Sequence, residues 1–204
     1  MTNWIQISLN LFNQSSDRIV WNLFLAFIPL ILSYYLFRPL AIRNIVWWIL
    51  LIIFVAFLPN APYILTDSIH IIELSRQNYP LWAIYLILIP QYTIFITVGF
   101  AAYVISLVKL NTYLSNFIGQ KYIACLNAIL HLLCVVGIYI GRFERFNSWD
   151  LITKPRDVFS TTGQDLLDPW KLLCMAIAFL VIWLLTELIK LVYSSLAASN
   201  LSNN

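Results

Sequence analysis

An apolar run that meets two prolines decides how this chain folds: IVWWILLIIFVAFLPNAPYILTDSIH, residues 45–70. Residues 45–58 would form about 21 Å of α-helix, which is shorter than the ~30 Å hydrocarbon core of a bilayer. Pro59 and Pro62 therefore stand at membrane depth, where each removes a backbone donor. Backbone groups freed there need protein or a water-filled cavity as partner. The run predicts a broken membrane helix with Asn60 as local hydrogen-bond partner; a simple kink is the alternative.

The composition of the whole chain is typical of a membrane protein. Of its 204 residues, 61% are hydrophobic and only 10% are charged, whereas soluble domains contain about 25% charged residues. The small net charge of +3 gives no reason to expect a nucleic-acid partner. We expect one all-α domain over residues 1–204, a bundle of about five transmembrane helices with spans at Val20–Phe37, Ile45–Leu65 (interrupted), Leu81–Leu107, Tyr122–Ile140 and Pro169–Tyr193.

The two ends of the chain are expected to lie outside the bundle. Residues 1–19 carry several apolar side chains and predict an N-terminal interfacial segment. Residues 194–204 are polar and predict a flexible tail. No cleavable signal is evident. We expect a cell membrane, either a plasma membrane or a bacterial inner membrane. The lipid bilayer is the expected partner, and a membrane partner protein stays open as a second one.

Five spans place the loops 66–80 and 141–168 on the same membrane face. The loops 38–44 and 108–121 then lie on the opposite face. The arginines that directly follow the first span favour a cytoplasmic location for this second face. Both polar motifs of the chain therefore belong to one side of the membrane.

The second polar motif is GRFERFNSWDLITKP, at Gly141–Pro155, after the fourth span. Arg142 and Arg145 are three residues apart, so their guanidiniums can point the same way. Planar guanidiniums near aromatic rings bind phosphate or carboxylate groups well. The structural alternative is that Asn147 caps a short helix while Asp150 reaches back to it, and that the acidic residues only neutralise the arginines.

We expect the two motifs to form one composite site on their shared face. Asp67, at the exit of the broken helix, is predicted to lie near Arg142 or Arg145, because each would otherwise leave a charge at the edge of low dielectric. The candidate ligand-binding residues are Asn60, Tyr63, Thr66, Asp67, His70, Arg142, Arg145, Asn147, Trp149 and Asp150.

Both motifs resemble signature segments of a family of bacterial multi-pass membrane proteins, one of the uncharacterised domain-of-unknown-function families. The run WNLFLAFIPL at Trp21–Leu30 also resembles that family's first span. The resemblance covers the chain from about Trp21 to Pro155. It implies a multi-pass integral membrane protein and carries no assigned activity.

Signatures of known catalytic or metal sites are missing from the sequence. It contains no H-E-x-x-H, no G-x-S-x-G and no Gly-rich phosphate loop, and its three cysteines all fall inside apolar runs. We therefore expect no metal and no cofactor. His131, with Asn127 one turn before it, falls near the bilayer centre, where a polar group is either functional or a hydrogen-bonding partner between helices.

Three functions stay open. The preferred hypothesis is a membrane-embedded pocket that binds or moves a small anionic or lipid-headgroup ligand between the two motifs. The alternatives are a structural or accessory subunit, and an intramembrane enzyme on lipid-linked substrates with Asp67 or His70 as base. A ligand pocket predicts cationic charge that the loop carboxylates leave unpaired, whereas a structural lock predicts full internal pairing.

Overall fold

The structure is a computed structural model of the chain, and it describes residues 2–39, 41–146 and 150–202. Within these ranges the regular elements are all helical: α1 Thr2–Leu36, α2 Ile45–Phe57, α3 Asn60–Tyr63, α4 Ile69–Ser75, α5 Leu81–Ala83, α6 Ile89–Leu114, α7 Gln120–Phe143, α8 Asp150–Thr153, α9 Pro155–Asp165 and α10 Pro169–Ser202. A 3-10 turn, Ile64–Ser68, joins α3 to α4, and a π turn, Ile84–Leu88, joins α5 to α6. The predicted all-α class is confirmed.

Among the described residues, five helical stretches are long and apolar enough to cross a membrane. They are Trp4–Leu36, Ile45–Ser75, Leu81–Leu114, Gln120–Phe143 and Pro169–Val192. Each contains one of the five predicted spans or nearly all of it, and the count of five is confirmed. Large apolar side chains stay exposed along these stretches, as expected where helices face lipid acyl chains rather than water.

Helix α1 continues without interruption from the predicted interfacial segment into the first span, and the location of residues 1–19 at the interface stays a prediction. It runs from Thr2 to Leu36 as one helix of 35 residues, with Pro29 inside it. No glycine or proline precedes Pro29 in the described part of α1, so no residue there interrupts the hydrogen-bonding pattern. At the other end, α10 continues through the polar residues as far as Ser202.

The second membrane helix changes its hydrogen bonding at the prolines but keeps its handedness. Pro59 lies in the right-handed region, with φ −61° and ψ −24°. Beyond the end of α2, the Ala61 amide donates to the carbonyl of Leu58 at 3.3 Å. The side-chain amide of Asn60 donates to the carbonyl of Phe57 at 3.1 Å. The predicted role of Asn60 as local partner is confirmed.

Two glycines let the broken helix approach its neighbours closely. A Cβ at Gly137 in α7 would lie 2.9 Å from the Cβ of Pro59. A Cβ at Gly99 in α6 would lie within 3.4 Å of three side-chain carbons of Ile64. Small residues at helix contacts bring backbones together in membranes. These contacts hold the broken helix against the middle of α6 and the C-terminal part of α7.

Candidate functional site

A buried carboxylate lies where α1, the 3-10 turn and α7 meet. Asp67 is 2% exposed, and its Oδ2 accepts a hydrogen bond from Nδ2 of Asn22 at 2.6 Å. Its Oδ1 lies 3.6 Å from Nη1 of Arg142 and 3.7 Å from Nε2 of His70. The predicted proximity of Asp67 to Arg142 is confirmed, and the two motifs meet in one place.

Arg142 is held in this position by the broken helix as well as by the carboxylate. Its Nη2 donates to the backbone carbonyl of Thr66 at 3.0 Å. Its Nη1 donates to the Tyr63 hydroxyl at 3.5 Å, and its guanidinium carbon lies 5.9 Å from the centre of that ring. We call Asn22, Tyr63, Thr66, Asp67 and Arg142 the inner network. Each of its charges has a partner inside the network.

The Nδ1 nitrogen of His70 lies near a hydrogen-bond acceptor, Glu73, and a hydrogen-bond donor, Arg18. This nitrogen is 2.6 Å from Oε2 of Glu73 and 3.0 Å from Nη1 of Arg18. A ring nitrogen that donates to the carboxylate cannot also accept from the guanidinium. The shorter contact is to the carboxylate, so we assign the proton on Nδ1 to that bond. Arg18 is then left facing an N–H group.

Arg18 and Arg145 have no carboxylate partner among the described residues, and the same holds for Arg76, Lys154 and Arg156 in the loops of this face. The side chains of Arg18 and Arg145 are exposed. Among the described residues, neither has a carboxylate oxygen within 4.0 Å, and Arg145 has no hydrogen-bond partner. Arg145 follows the end of α7 with φ 58°, in the left-handed region. We call Arg18, His70, Glu73 and Arg145 the outer rim.

The other predicted site residues have mixed outcomes. Asn60 directs its amide to the backbone of its own helix and not into the network. Asp150 begins α8, where its Oδ1 accepts from Thr153 at 3.3 Å. Asn147 and Trp149 lie outside the described residues. A ligand-binding role for the whole set stays a prediction.

Sequence reasoning missed two site residues on α1. Asn22 donates to Asp67, and Arg18 contacts His70. They are four residues apart, so they share one face of the helix. The available signal was an amide inside an otherwise apolar span, since polar groups at membrane depth are costly and often functional.

A comparison with protein families assigns the chain. The model of a family described as a protein of unknown function (DUF1361) matches residues 21–186. The chain belongs to the DUF1361 family. The match includes Asn22, the broken helix and the arginine motif, and it confirms the predicted resemblance to a domain-of-unknown-function family. No curated protein and no solved structure matches this DUF1361 chain.

Proposed function

We propose that this multi-pass membrane protein binds an anionic group, a phosphate of a lipid headgroup or a free anion, at the outer rim. The observation that carries the proposal is the charge pairing at this end of the bundle. Asp67 and Glu73 have cationic or donor partners, whereas Arg18 and Arg145 have no carboxylate among the described residues. Guanidiniums without a carboxylate partner are suited to phosphate oxygens.

The inner network supports the rim in this proposal. It fixes α1 through Asn22, the broken helix through Asp67 and α7 through Arg142. Arg18 lies one turn from Asn22, and Arg145 lies three residues after Arg142. A satisfied inner network therefore fixes the backbone that carries the guanidiniums of Arg18 and Arg145, which reduces the entropy lost on binding. The proposal keeps the sequence-based expectation of a cell membrane.

The structural subunit is the second candidate, because the inner network is fully paired. In that case Asp67 and Arg142 only tie three helices together, and the outer rim has no ligand. The enzyme hypothesis receives less support for Asp67 as the base. Asp67 is buried and both of its oxygens already face protein donors, so it has no oxygen free for a substrate.

Native mass spectrometry can test the proposal on the intact protein. The protein is released from nanodiscs of phosphatidylcholine and phosphatidylglycerol in equal parts, and a second sample contains phosphatidylcholine with added inorganic phosphate. We expect retention of the anionic lipid or of phosphate above the phosphatidylcholine background. Arg18→Gln and Arg145→Gln should each reduce retention roughly tenfold, since each removes a charge-assisted hydrogen bond.

Arg38→Gln is the matched control, because Arg38 is an exposed arginine at the opposite end of α1 that contacts Tyr35. Its retention should equal that of the unmodified protein. Retention of neither anion, or equal retention by the Arg18→Gln and Arg145→Gln double variant, would contradict the proposal and leave the structural candidate.

A further inference from the structure

A polar cavity lies at the other end of the bundle from the inner network. It occupies about 670 Å³ between α6, α7 and α10, which is within the range of ~300–1,000 Å³ for small-molecule sites. Asn111, Asn127 and His131 line its depth, and Phe179 and Trp183 form an aromatic wall. Because α7 begins at Gln120, His131 lies about 16 Å along that helix and therefore near the bilayer centre.

Three residues that line this cavity each carry a buried polar atom that has no partner among the described residues. The atoms are Oδ1 of Asn111, Oδ1 of Asn127 and Nε2 of His131. His131 is 1% exposed, and its other ring nitrogen is already engaged by the Tyr103 hydroxyl at 2.7 Å. An unpaired buried polar group is costly, and the cost is highest where no water is near. A molecule in the cavity that forms hydrogen bonds with these three atoms would remove this cost.

The charges around the cavity define what that molecule can be. Glu187 and Lys190 both line it, and they form an ion pair with each other at 2.8 Å. They therefore neutralise each other, and the cavity offers a ligand no unpaired formal charge among its described residues. The two asparagine carbonyl oxygens require hydrogen-bond donors. A neutral molecule with several hydroxyl groups meets both conditions.

The aromatic wall adds to this preference. Phe179 and Trp183 present apolar ring surface beside the polar atoms. A sugar has an apolar C–H face and a polar hydroxyl edge, so it can contact rings and amides at the same time. Water could satisfy the amides, but it would gain nothing from the rings.

We propose that this cavity binds a neutral polyhydroxylated group, either a free sugar or the sugar headgroup of a glycolipid, through Asn111, Asn127 and His131. The site does not depend on the outer rim, since it lies at the opposite end of α7. A free sugar and a glycolipid offer the same hydroxyl chemistry, and the experiment separates them.

The test uses the whole protein in two preparations. One places it in nanodiscs of phosphatidylcholine with monoglucosyl diacylglycerol, and native mass spectrometry measures the retained lipid. The other places it in phosphatidylcholine nanodiscs with free glucose, and calorimetry measures binding. We expect binding in one preparation, which identifies the source. Asn111→Leu and Asn127→Leu should each weaken it roughly three- to tenfold, because each removes one hydrogen-bond acceptor.

The leucine variants are made singly, so that a folding defect in one leaves the other as the test. Asn10→Leu is the matched control, because Asn10 is an exposed asparagine on α1 outside the cavity, and it should bind as the unmodified protein does. Thermal unfolding without sugar should show Asn127→Leu to be no less stable, since its carbonyl oxygen has no partner to lose. Binding in neither preparation, or unchanged binding by both cavity variants, would show that the cavity holds water only and overturn the proposal.

Discussion

At the residue scale, the pair formed by Asp67 and Arg142 joins the two motifs. Its proximity could be predicted because both residues leave apolar spans on the same face, where an unpaired charge at low dielectric is costly. Asn22 and Arg18 could not be predicted as partners. The sequence of α1 does not indicate which face of the helix will contact the 3-10 turn, which is more than 40 residues away. Asp67 pairs with Arg142 rather than with Arg145, whose backbone is left-handed. The sequence pattern did not reveal this backbone conformation.

Removing both members of the Asp67–Arg142 pair should cost less than the two single removals added together. Arg142→Gln leaves a buried carboxylate without its cation, and we expect it to lower the free energy of unfolding by about 2–4 kcal/mol. Asp67→Asn combined with Arg142→Gln should cost less than the sum of the single changes. Unfolding in mixed detergent measures all three. Arg145→Gln is the control and should leave stability unchanged, and strict additivity would show that the pair does not interact.

At the element scale, the break in the second membrane helix is a place where backbone amides and carbonyls change their hydrogen-bond partners while the chain stays helical. The sequence predicted it correctly, because two prolines remove two donors in four residues. It could not show that the chain would stay helical through the break. That outcome depends on packing, since Pro59 lies against Gly137 and Ile64 against Gly99, and those neighbours are distant in sequence.

Filling the space at Gly137 should separate the broken helix from α7. Gly137→Ala would place a methyl group 2.9 Å from a carbon of the rigid Pro59 ring, so we expect a loss of about 1–3 kcal/mol in the free energy of unfolding. Gly163→Ala in α9 is the control, because nothing lies within 4 Å of its added carbon. It should be neutral or stabilise by up to ~1 kcal/mol. Equal effects of the two changes in thermal unfolding would rule out this close contact.

The role of Asn60 should depend on Pro62. Asn60→Ala removes the donor to the Phe57 carbonyl and should lower stability by about 1 kcal/mol. In a Pro62→Ala background, the new amide at position 62 can donate to Leu58. The Ala61 amide is then free to return to Phe57 in the regular α-helical pattern, so the loss caused by Asn60→Ala should vanish. A double-mutant cycle on unfolding measures this, and an unchanged loss would refute the exchange of partners.

At the scale of the whole molecule, the five-span topology was predictable from length and hydropathy alone. A stretch of about 20 apolar residues is a strong signal of a membrane span. The positions of the helix ends were predicted less accurately. The cavity beside His131 was not predictable as a cavity. The sequence indicated that Asn127 and His131 are polar at membrane depth, but it could not show that Asn111 of α6 and an ion pair of α10 would gather around them.

Single-cysteine labelling tests this topology directly. With Cys125, Cys134 and Cys174 replaced by alanine, new cysteines at Ser75 and Ser160 should react with a membrane-impermeant reagent from the same side of sealed vesicles. A cysteine at Ser115 should react only from the other side. Labelling of the first two positions from opposite sides would contradict both the span count and the shared site.

The left-handed backbone at Arg145 makes the residue that is best for stability different from the residue that is best for the proposed anion binding. An L-amino acid with a side chain loses roughly 1–2 kcal/mol in this conformation, and glycine loses almost nothing. Arg145→Gly should therefore raise the temperature of unfolding while it deletes a guanidinium that forms no hydrogen bond or ion pair with the other described residues. Such a trade marks residues retained for what they do rather than for how they fold. A stability screen of this protein would select glycine at position 145 and would remove the anion site that we propose.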